Sequence, residues 1–290
     1  MKTKIFITGL ASTIGDYLIK YLNHTSFEIQ ALSRNKKTDS ENLTWIQGDL
    51  SDPSSYSAAL SDCDILLHMA GVTHSYDAEA YYKINFKYSL ELFKRAEANG
   101  VRKIIYLSTY TAGQENGAYG KSKFQTENYL YSQSYSWCIL RPSEIFGGKK
   151  QVGIDKLVKN LKEKKFHLYP KGLKCKLKPI FIEDVAYYIF QTVNASTYDR
   201  KTLNLTGPDA LDFIEILKYA ENLRKTKFFL IPVPKNIMQG LERILKISPI
   251  AFGLVPDQIP RLYRTNQIIA DIDLIGQESF LRYLDNILKK

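Results

Sequence analysis

Apolar residues along this chain gather in short unbroken runs, each followed by a longer stretch in which they recur every three or four positions. The runs are Lys4–Thr8 (KIFIT), Phe27–Leu32, Leu43–Gly48, Ile65–Met69, Val101–Leu107 and Trp137–Leu140. Short apolar runs bounded by polar and glycine residues predict strands. The periodic stretch Ile14, Leu18, Ile19, Leu22 predicts a helix after the first strand. Ala80 to Asn99, with Leu90, Leu92, Phe93 and Ala96 apolar, predicts a longer helix stopped by Gly100. Strands alternating with helices predict an α/β fold, a Rossmann-type doubly wound parallel sheet whose ligands sit beyond the carboxyl ends of the strands. Gly9, Arg34, Asp49, Ala70 and Ser108 all fall at such ends.

The pattern changes after Gly147. A lysine-rich helix, a loop around Pro170–Gly172 and the stretch Lys178–Ile182 precede a helix starting near Glu183–Asp184. Leu203–Leu205 predicts a further strand, Asp212–Leu223 an amphipathic helix, and Ile237–Ile247 another after a break at Pro232–Pro234. The chain therefore reads as a dinucleotide-binding domain over residues 1–147, rejoined at about 178–206, and a smaller, mainly substrate-binding lobe over 148–290. No repeat or low-complexity linker interrupts it.

Candidate chemistry concentrates between Tyr106 and Lys123. The strand ends in Ser108 and Thr109, a polar loop follows, and Tyr119 and Lys123 then stand four residues apart in the first turn of a helix. That spacing puts both side chains on one face. A phenol has an ordinary pKa of about 10, and a neighbouring cation favours its phenolate, so the pair can exchange a proton with an alcohol or carbonyl. The ordinary alternative is a surface i,i+4 pair in a chain with twenty tyrosines.

A hydride partner is suggested by the first strand-to-helix turn. Gly9 and Gly15 bracket Ser12 in the spacing of a pyrophosphate-binding glycine turn, with Ser12 in the middle glycine's place. At the end of the second strand Ser33, Arg34, Lys36 and Lys37 suit the 2′-phosphate of NADP, or form an unremarkable charged loop. Pro142 closes the strand Trp137–Leu140.

The net charge of +10 is partly local, because residues 149–178 hold eleven lysines against Asp155 and Glu163. A solvated basic face, an anionic substrate such as a nucleotide diphosphate, and an acidic membrane surface all remain open. No nucleic-acid motif is present, so no nucleic-acid partner is expected. Cys63, Cys138 and Cys175 are scattered, and His24, His68, His74 and His167 pair with nothing at metal spacing. Buried thiols are expected at Cys63 and Cys138, with no bound metal. The N-terminal apolar run is too short for a signal peptide and no run reaches the ~18 residues of a membrane span, so a cytoplasmic protein is expected. The apolar stretch 247–255 (ISPIAFGLV) suits packing within the second lobe or a dimer interface, with membrane contact the lesser reading.

An ordered set of motifs carries a resemblance: TGLASTIG (8–15), GDLSD (48–52), HMAG (68–71), a helix around Asn85, LST (107–109), YGKSK (119–123), LRPSEIFG (140–147) and PIFIEDVA (179–186). The chain resembles the extended short-chain dehydrogenase/reductase family, the NAD-dependent epimerase/dehydratases, over nearly its whole length. The resemblance implies that Tyr119 is the catalytic acid/base and that Lys123 lowers its pKa and binds the nicotinamide ribose. It places Thr109, with Ser108 beside it, at the hydroxyl that holds the reacting oxygen. It implies cofactor contacts from Gly9, Ser12, Thr13, Ile14 and Gly15 in the turn, and from Arg34, Asp49 and Leu50 near the adenosine. Met69, Ala70, Gly71 and Asn85, then Pro142 and Ser143, complete the implied cofactor site. The 4,6-dehydratase branch carries Asp-Glu after its catalytic Thr. Here Tyr110-Thr111 stand there, which argues against dehydration. A nucleotide-sugar 4-epimerase or 4-ketoreductase in surface polysaccharide synthesis remains, using NAD(P) with a lean to NADP. Lipid-linked sugars, apolar ketones and a non-catalytic cofactor-binding subunit are the alternatives. A homodimer through the Tyr/Lys helix would use Phe124, Tyr129, Leu130 and Tyr131, residues that equally suit the core.

Overall fold

The computed structural model describes residues 2–149, 153–247, 255–263 and 269–289. The first half of the chain runs β1 (Lys4–Thr8), α1 (Thr13–Leu22), β2 (Glu28–Ser33), β3 (Leu43–Gln47), α2 (Ser57–Leu60), β4 (Ile65–His68), α3 (Ala78–Tyr81), α4 (Ser89–Ala98), β5 (Lys103–Leu107), α5 (Gly117–Tyr131) and β6 (Ser136–Pro142). The second half runs β7 (Ile145–Phe146), α6 (Ile154–Glu163), β8 (Phe166–Pro170), β9 (Ile180–Phe181), α7 (Ile182–Asn194), β10 (Lys201–Thr206), α8 (Phe213–Arg224), β11 (Phe229–Val233), α9 (Lys235–Ile247), α10 (Gln258–Leu262), β12 (Ile272–Ile275) and α11 (Phe280–Leu288).

Eight of these strands form one parallel sheet in the order β3-β2-β1-β4-β5-β6-β10-β12. This is the Rossmann-type α/β architecture that the alternation predicts. The apolar runs lack a polar face because both sheet faces are covered. Ile5 and Ile7 point to one core, shared with Leu18 of α1 and Ile189 of α7, while Phe6 between them points to the other. Strand β5 repeats this, with Ile105 and Leu107 on the first side and Ile104 and Tyr106 on the second. The predicted thiols are buried, Cys138 on the first side and Cys63 on the second. Burial pushes Cys63 up to about 11 and Cys138 up to about 12.

The strand order reverses between β1 and β4, and this is where such sheets open a crevice for ligand. The second lobe has its own core, in which Phe146, Val158, Leu161, Leu217 and Phe280 bring together β7, α6, α8 and α11. A smaller cluster of Met238, Leu245, Ile259 and Tyr263 joins α9 to α10. Leu130 belongs to the second sheet-face core, and the Tyr131 ring meets Trp137 at 5.3 Å. Among the described residues no helix is long and apolar enough to cross a membrane. Most of the apolar stretch 247–255 lies outside the described residues.

The predicted helix Ala80–Asn99 is helical throughout but not uniform. Between α3 and α4 the turns Tyr82–Tyr88 widen to π-helix. A π-turn takes one extra residue and turns a side chain out of the regular stripe, and such turns concentrate at functional sites. Here the residue within it is Asn85, fully buried.

Candidate active site

The glycine turn is shaped by a close crossing of two strand ends. Gly9 has φ +82°, and a Cβ there would stand 2.6 Å from the Ala70 nitrogen and 2.7 Å from the Met69 carbonyl carbon. Only glycine allows both the left-handed conformation and the approach. Ser12, in the place expected for a middle glycine, caps α1 instead: its Oγ accepts from the Gly15 N–H at 3.2 Å. Thr13 and Ile14 form the first turn of that helix, half-buried, so the N-terminal dipole of α1 faces the crevice.

Arg34 and Asp49 follow the ends of the adjacent strands β2 and β3. The Asp49 carboxylate accepts from the Ser51 N–H at 2.8 Å and hydroxyl at 2.6 Å. These bonds, with a smaller contribution from the Arg34 charge, hold it below the usual carboxylate range. Leu50 is buried in the second core beneath them. Ser33 turns its hydroxyl to the Asn35 carbonyl.

Beyond β4, Asn85 clamps the loop that follows Ala70. Its Oδ1 accepts from the Val72 N–H at 2.7 Å, its Nδ2 donates to the Val72 carbonyl at 2.9 Å, and its own carbonyl accepts from the Thr126 hydroxyl at 2.7 Å. The π-turn thus presents side chain and carbonyl in different directions. The side chain joins the Gly71–Val72 loop and reaches Ser122 of α5 at 3.4 Å, and the carbonyl joins α5 through Thr126. Below this loop a buried relay links Thr8 Oγ1 to His68 Nδ1 at 2.6 Å and His68 Nε2 to Ser89 Oγ at 2.8 Å. Burial, helped by the Lys123 charge, lowers the His68 pKa to about 3, so the ring is neutral.

Tyr119 and Lys123 leave α5 on its buried side, as their spacing predicts. Lys123 Nζ donates to the Leu107 carbonyl at 2.9 Å and lies 4.6 Å from the Tyr106 ring centre. Burial pulls its pKa down to about 7, against the opposing pull of Glu127. The Thr109 hydroxyl lies near enough to the Tyr119 phenol to favour its charged form, and its Oγ1 is 3.1 Å from Thr111 Oγ1. Burial raises the Tyr119 phenol, while the Arg261 charge and then the Thr109 hydroxyl draw it back.

Arg261 is the residue that local reading missed. Its guanidinium carbon lies 4.2 Å from the Tyr119 ring centre and 5.7 Å from that of Tyr81, which meets Tyr119 edge-on at 5.8 Å. Arg261 is held by Asp257 on its own short helix and by the Thr73 carbonyl. Asp257 in turn accepts from the Tyr119 N–H at 3.2 Å. A segment 138 residues downstream thus closes over the tyrosine. The only trace in the sequence is the i,i+4 Asp257–Arg261 spacing.

The structure therefore brings Thr109, Tyr119, Lys123, Gly71 and Asn85 together at the carboxyl ends of β4 and β5. Among the described residues the buried Ser108 hydroxyl has no hydrogen-bond partner, and its N–H donates to the Leu140 carbonyl. At the end of β6, Pro142 lends its carbonyl to the Tyr110 N–H and Ser143 lends its hydroxyl to the Lys178 carbonyl. Both bind neighbouring strands and loops in this structure. Arg141 forms a two-armed pair with Glu127 at 2.9 and 2.7 Å. Among the described residues no group of His, Cys, Asp and Glu could hold a metal ion.

The profile of the NAD dependent epimerase/dehydratase family matches residues 5–205. The chain is 26% identical over 93% of its length to N-acetyl-alpha-D-glucosaminyl-diphospho-ditrans,octacis-undecaprenol 4-epimerase of Escherichia coli O157:H7, covering 88% of that protein. It is 19% identical over 92% of its length to the mitochondrial NADH dehydrogenase [ubiquinone] 1 alpha subcomplex subunit 9 of Rattus norvegicus, covering 73% of it. Among solved structures it superposes on a nucleoside-diphosphate-sugar epimerase from Staphylococcus aureus with a TM-score of 0.72 at 18% identity, over 98% of this chain and 96% of that one. MoeE5 in complex with UDP-glucose and NAD gives a TM-score of 0.68 at 15% identity, over 99% and 97%. At these identities the two superpositions establish a shared fold.

Proposed function

The chain belongs to the NAD dependent epimerase/dehydratase family, and from that premise we propose that it is an oxidoreductase-type enzyme acting on a nucleotide-activated sugar, as a 4-epimerase or 4-ketoreductase. The observation that carries this reading is that Thr109, Tyr119 and Lys123 are all buried at the end of β5 and on α5, with Lys123 Nζ 3.3 Å from where a Cβ on Gly71 would stand. The crevice fits a dinucleotide: the Gly9–Ala70 crossing leaves a cradle that a single Cβ would fill, and the N-terminus of α1 faces it. A bound nicotinamide would supply the acceptor and donor of hydride.

In this reading Tyr119 passes a proton to or from the sugar oxygen, which Thr109 orients. Lys123, anchored on the Leu107 carbonyl and brought by burial to a pKa of about 7, shares its charge and a proton with the same pocket at neutral pH and would reach the nicotinamide ribose. The Gly9–Gly15 turn would hold the pyrophosphate, and Arg34 supports NADP through its 2′-phosphate. Tyr110 and Thr111 stand where the dehydratase branch carries Asp-Glu, which argues against elimination of water and supports epimerisation or ketone reduction. The E. coli relative named for a diphospho-undecaprenol-linked sugar supports a second reading, in which the sugar is lipid-linked.

Nucleotide released from the heat-denatured purified protein tests the proposal. NAD retained through purification would indicate the epimerase. Weakly held NADPH, with an affinity that falls in Arg34→Ala while that for NADH holds, would indicate the reductase. A protein that binds neither nucleotide at millimolar concentration would sink both.

Arg261 yields a second expectation. Tyr119 is faced by Arg261 of α10 and Asp257 at that helix's N-cap, by Tyr81 of α3, and by Thr109 and Tyr106 at the end of β5, with Lys123 one turn on along α5 over the Tyr106 ring. Removing the guanidinium removes a cation that favours the phenolate, so the phenol pKa rises further. In the alcohol-oxidising direction, where Tyr119 must accept a proton, the limb of kcat/KM that climbs with pH should move to higher pH in Arg261→Met. Arg261→Lys should restore part of the shift. A lower rate with the limb unmoved would show that Arg261 only braces the loop.

A further inference from the structure

Strands β8 and β11 form a small parallel ribbon outside the main sheet, with Phe166 opposite Phe229 and Leu168 opposite Ile231. Its inner face, through Tyr169 and Leu230, packs on the core of the second lobe. An outer face exposed to water would ordinarily be polar. Here it carries Phe166, Leu168, Phe229 and Ile231, exposed by 65%, 69%, 57% and 45%. The two phenylalanine rings stack at 4.7 Å, so the face is a continuous apolar surface rather than scattered residues. Because the strands are parallel, the segments leading into them lie at the same end. Both are basic and exposed: Lys164-Lys165 before Phe166, and Lys225 and Lys227 before Phe229. Helix α9 follows β11 directly and exposes Ile237 and Ile244, seven residues apart on one side, while Met238 and Leu245 face its core.

We propose that the outer face of the β8–β11 ribbon docks on an anionic membrane surface. Aromatic and aliphatic side chains standing proud of a fold, rimmed by lysines, match a bilayer boundary: the rings enter the interface and the ammonium groups meet lipid phosphates. The charge complementarity selects this occupant. A second copy of this chain would bring the same lysine rim against itself and be repelled. The inference is independent of the sugar chemistry proposed above. It adds a place of work, the membrane surface, without requiring that the substrate be a lipid.

Flotation of the full-length protein with vesicles tests it. Vesicles of phosphatidylcholine with about one-third phosphatidylglycerol should carry the protein upward, pure phosphatidylcholine should not, and raised salt should weaken the association. Phe166→Ser/Phe229→Ser should lower partitioning at least tenfold. Lys165→Gln and Lys227→Gln should each lower it about fivefold. Unchanged nucleotide binding and thermal midpoint in these variants would confirm that the loss is one of docking. A wild-type protein that stays at the bottom of the gradient with anionic vesicles overturns the proposal. So does a double-serine variant that floats like the wild type. A wild-type dimer in sedimentation that the serine substitutions turn into a monomer, with no vesicle binding, would reassign the face to self-association and equally overturn it.

Discussion

Replacing Tyr119 with phenylalanine is expected to lower turnover by about a thousandfold while leaving nucleotide affinity near that of the wild type. The substitution removes one oxygen and keeps the ring. Phenylalanine retains the edge contact with Tyr81 and the face beneath Arg261, and the backbone N–H still reaches Asp257. What is lost is the hydroxyl that, in the proposed reaction, exchanges the proton. Single-turnover and steady-state rates on the substrate separate the outcomes. A variant that turns over as the wild type does would end the assignment of Tyr119 as acid/base. A variant that loses nucleotide affinity and activity together would show that the phenol binds rather than reacts.

The second large effect is on stability. Arg141 and Glu127 are exposed by 2% and 0%, and their two parallel hydrogen bonds join β6 to the outer half of α5. Arg141 also donates to Tyr131 Oη and to the Ile269 carbonyl. Arg141→Met leaves a carboxylate buried without its partner, and is expected to cost about 3–5 kcal/mol. The cost of desolvating two charges is saved if both are replaced, so Arg141→Met/Glu127→Leu should recover most of the loss. Urea unfolding of the single and double variants reads this directly. Single variants with the wild-type midpoint would show that the pair contributes nothing to the fold.

Much of this arrangement is written locally in the chain. Strands β1, β4, β5 and β6 are legible because burial on both faces leaves continuous apolar runs. Tyr119 and Lys123 share a face because four residues make about one helical turn. The ribbon strands β8 and β11 were missed for the opposite reason: Phe166 and Leu168 face outward with His167 buried between them, so their alternation reads backwards. The single predicted helix over 80–99 concealed a π-turn, because helical periodicity cannot register one inserted residue. Ser12 looked like a flaw in a glycine motif and is a helix cap. Nothing near Tyr119 could have announced Arg261. Their contact depends on how the second lobe folds back, and that is a property of tertiary packing rather than of any local pattern.

The segment carrying Asp257 and Arg261 has a consequence for how the protein fails. It is a single short helix held over Tyr119 by a few polar contacts and a small apolar cluster, whereas the sheet beneath is enclosed by two large cores. Openings that cost little free energy start in such lightly packed elements and leave the rest intact. Heat or denaturant should therefore uncover the tyrosine while the eight strands remain paired. How long the Tyr119 pocket survives heating would then be set by a five-residue helix rather than by the fold that surrounds it.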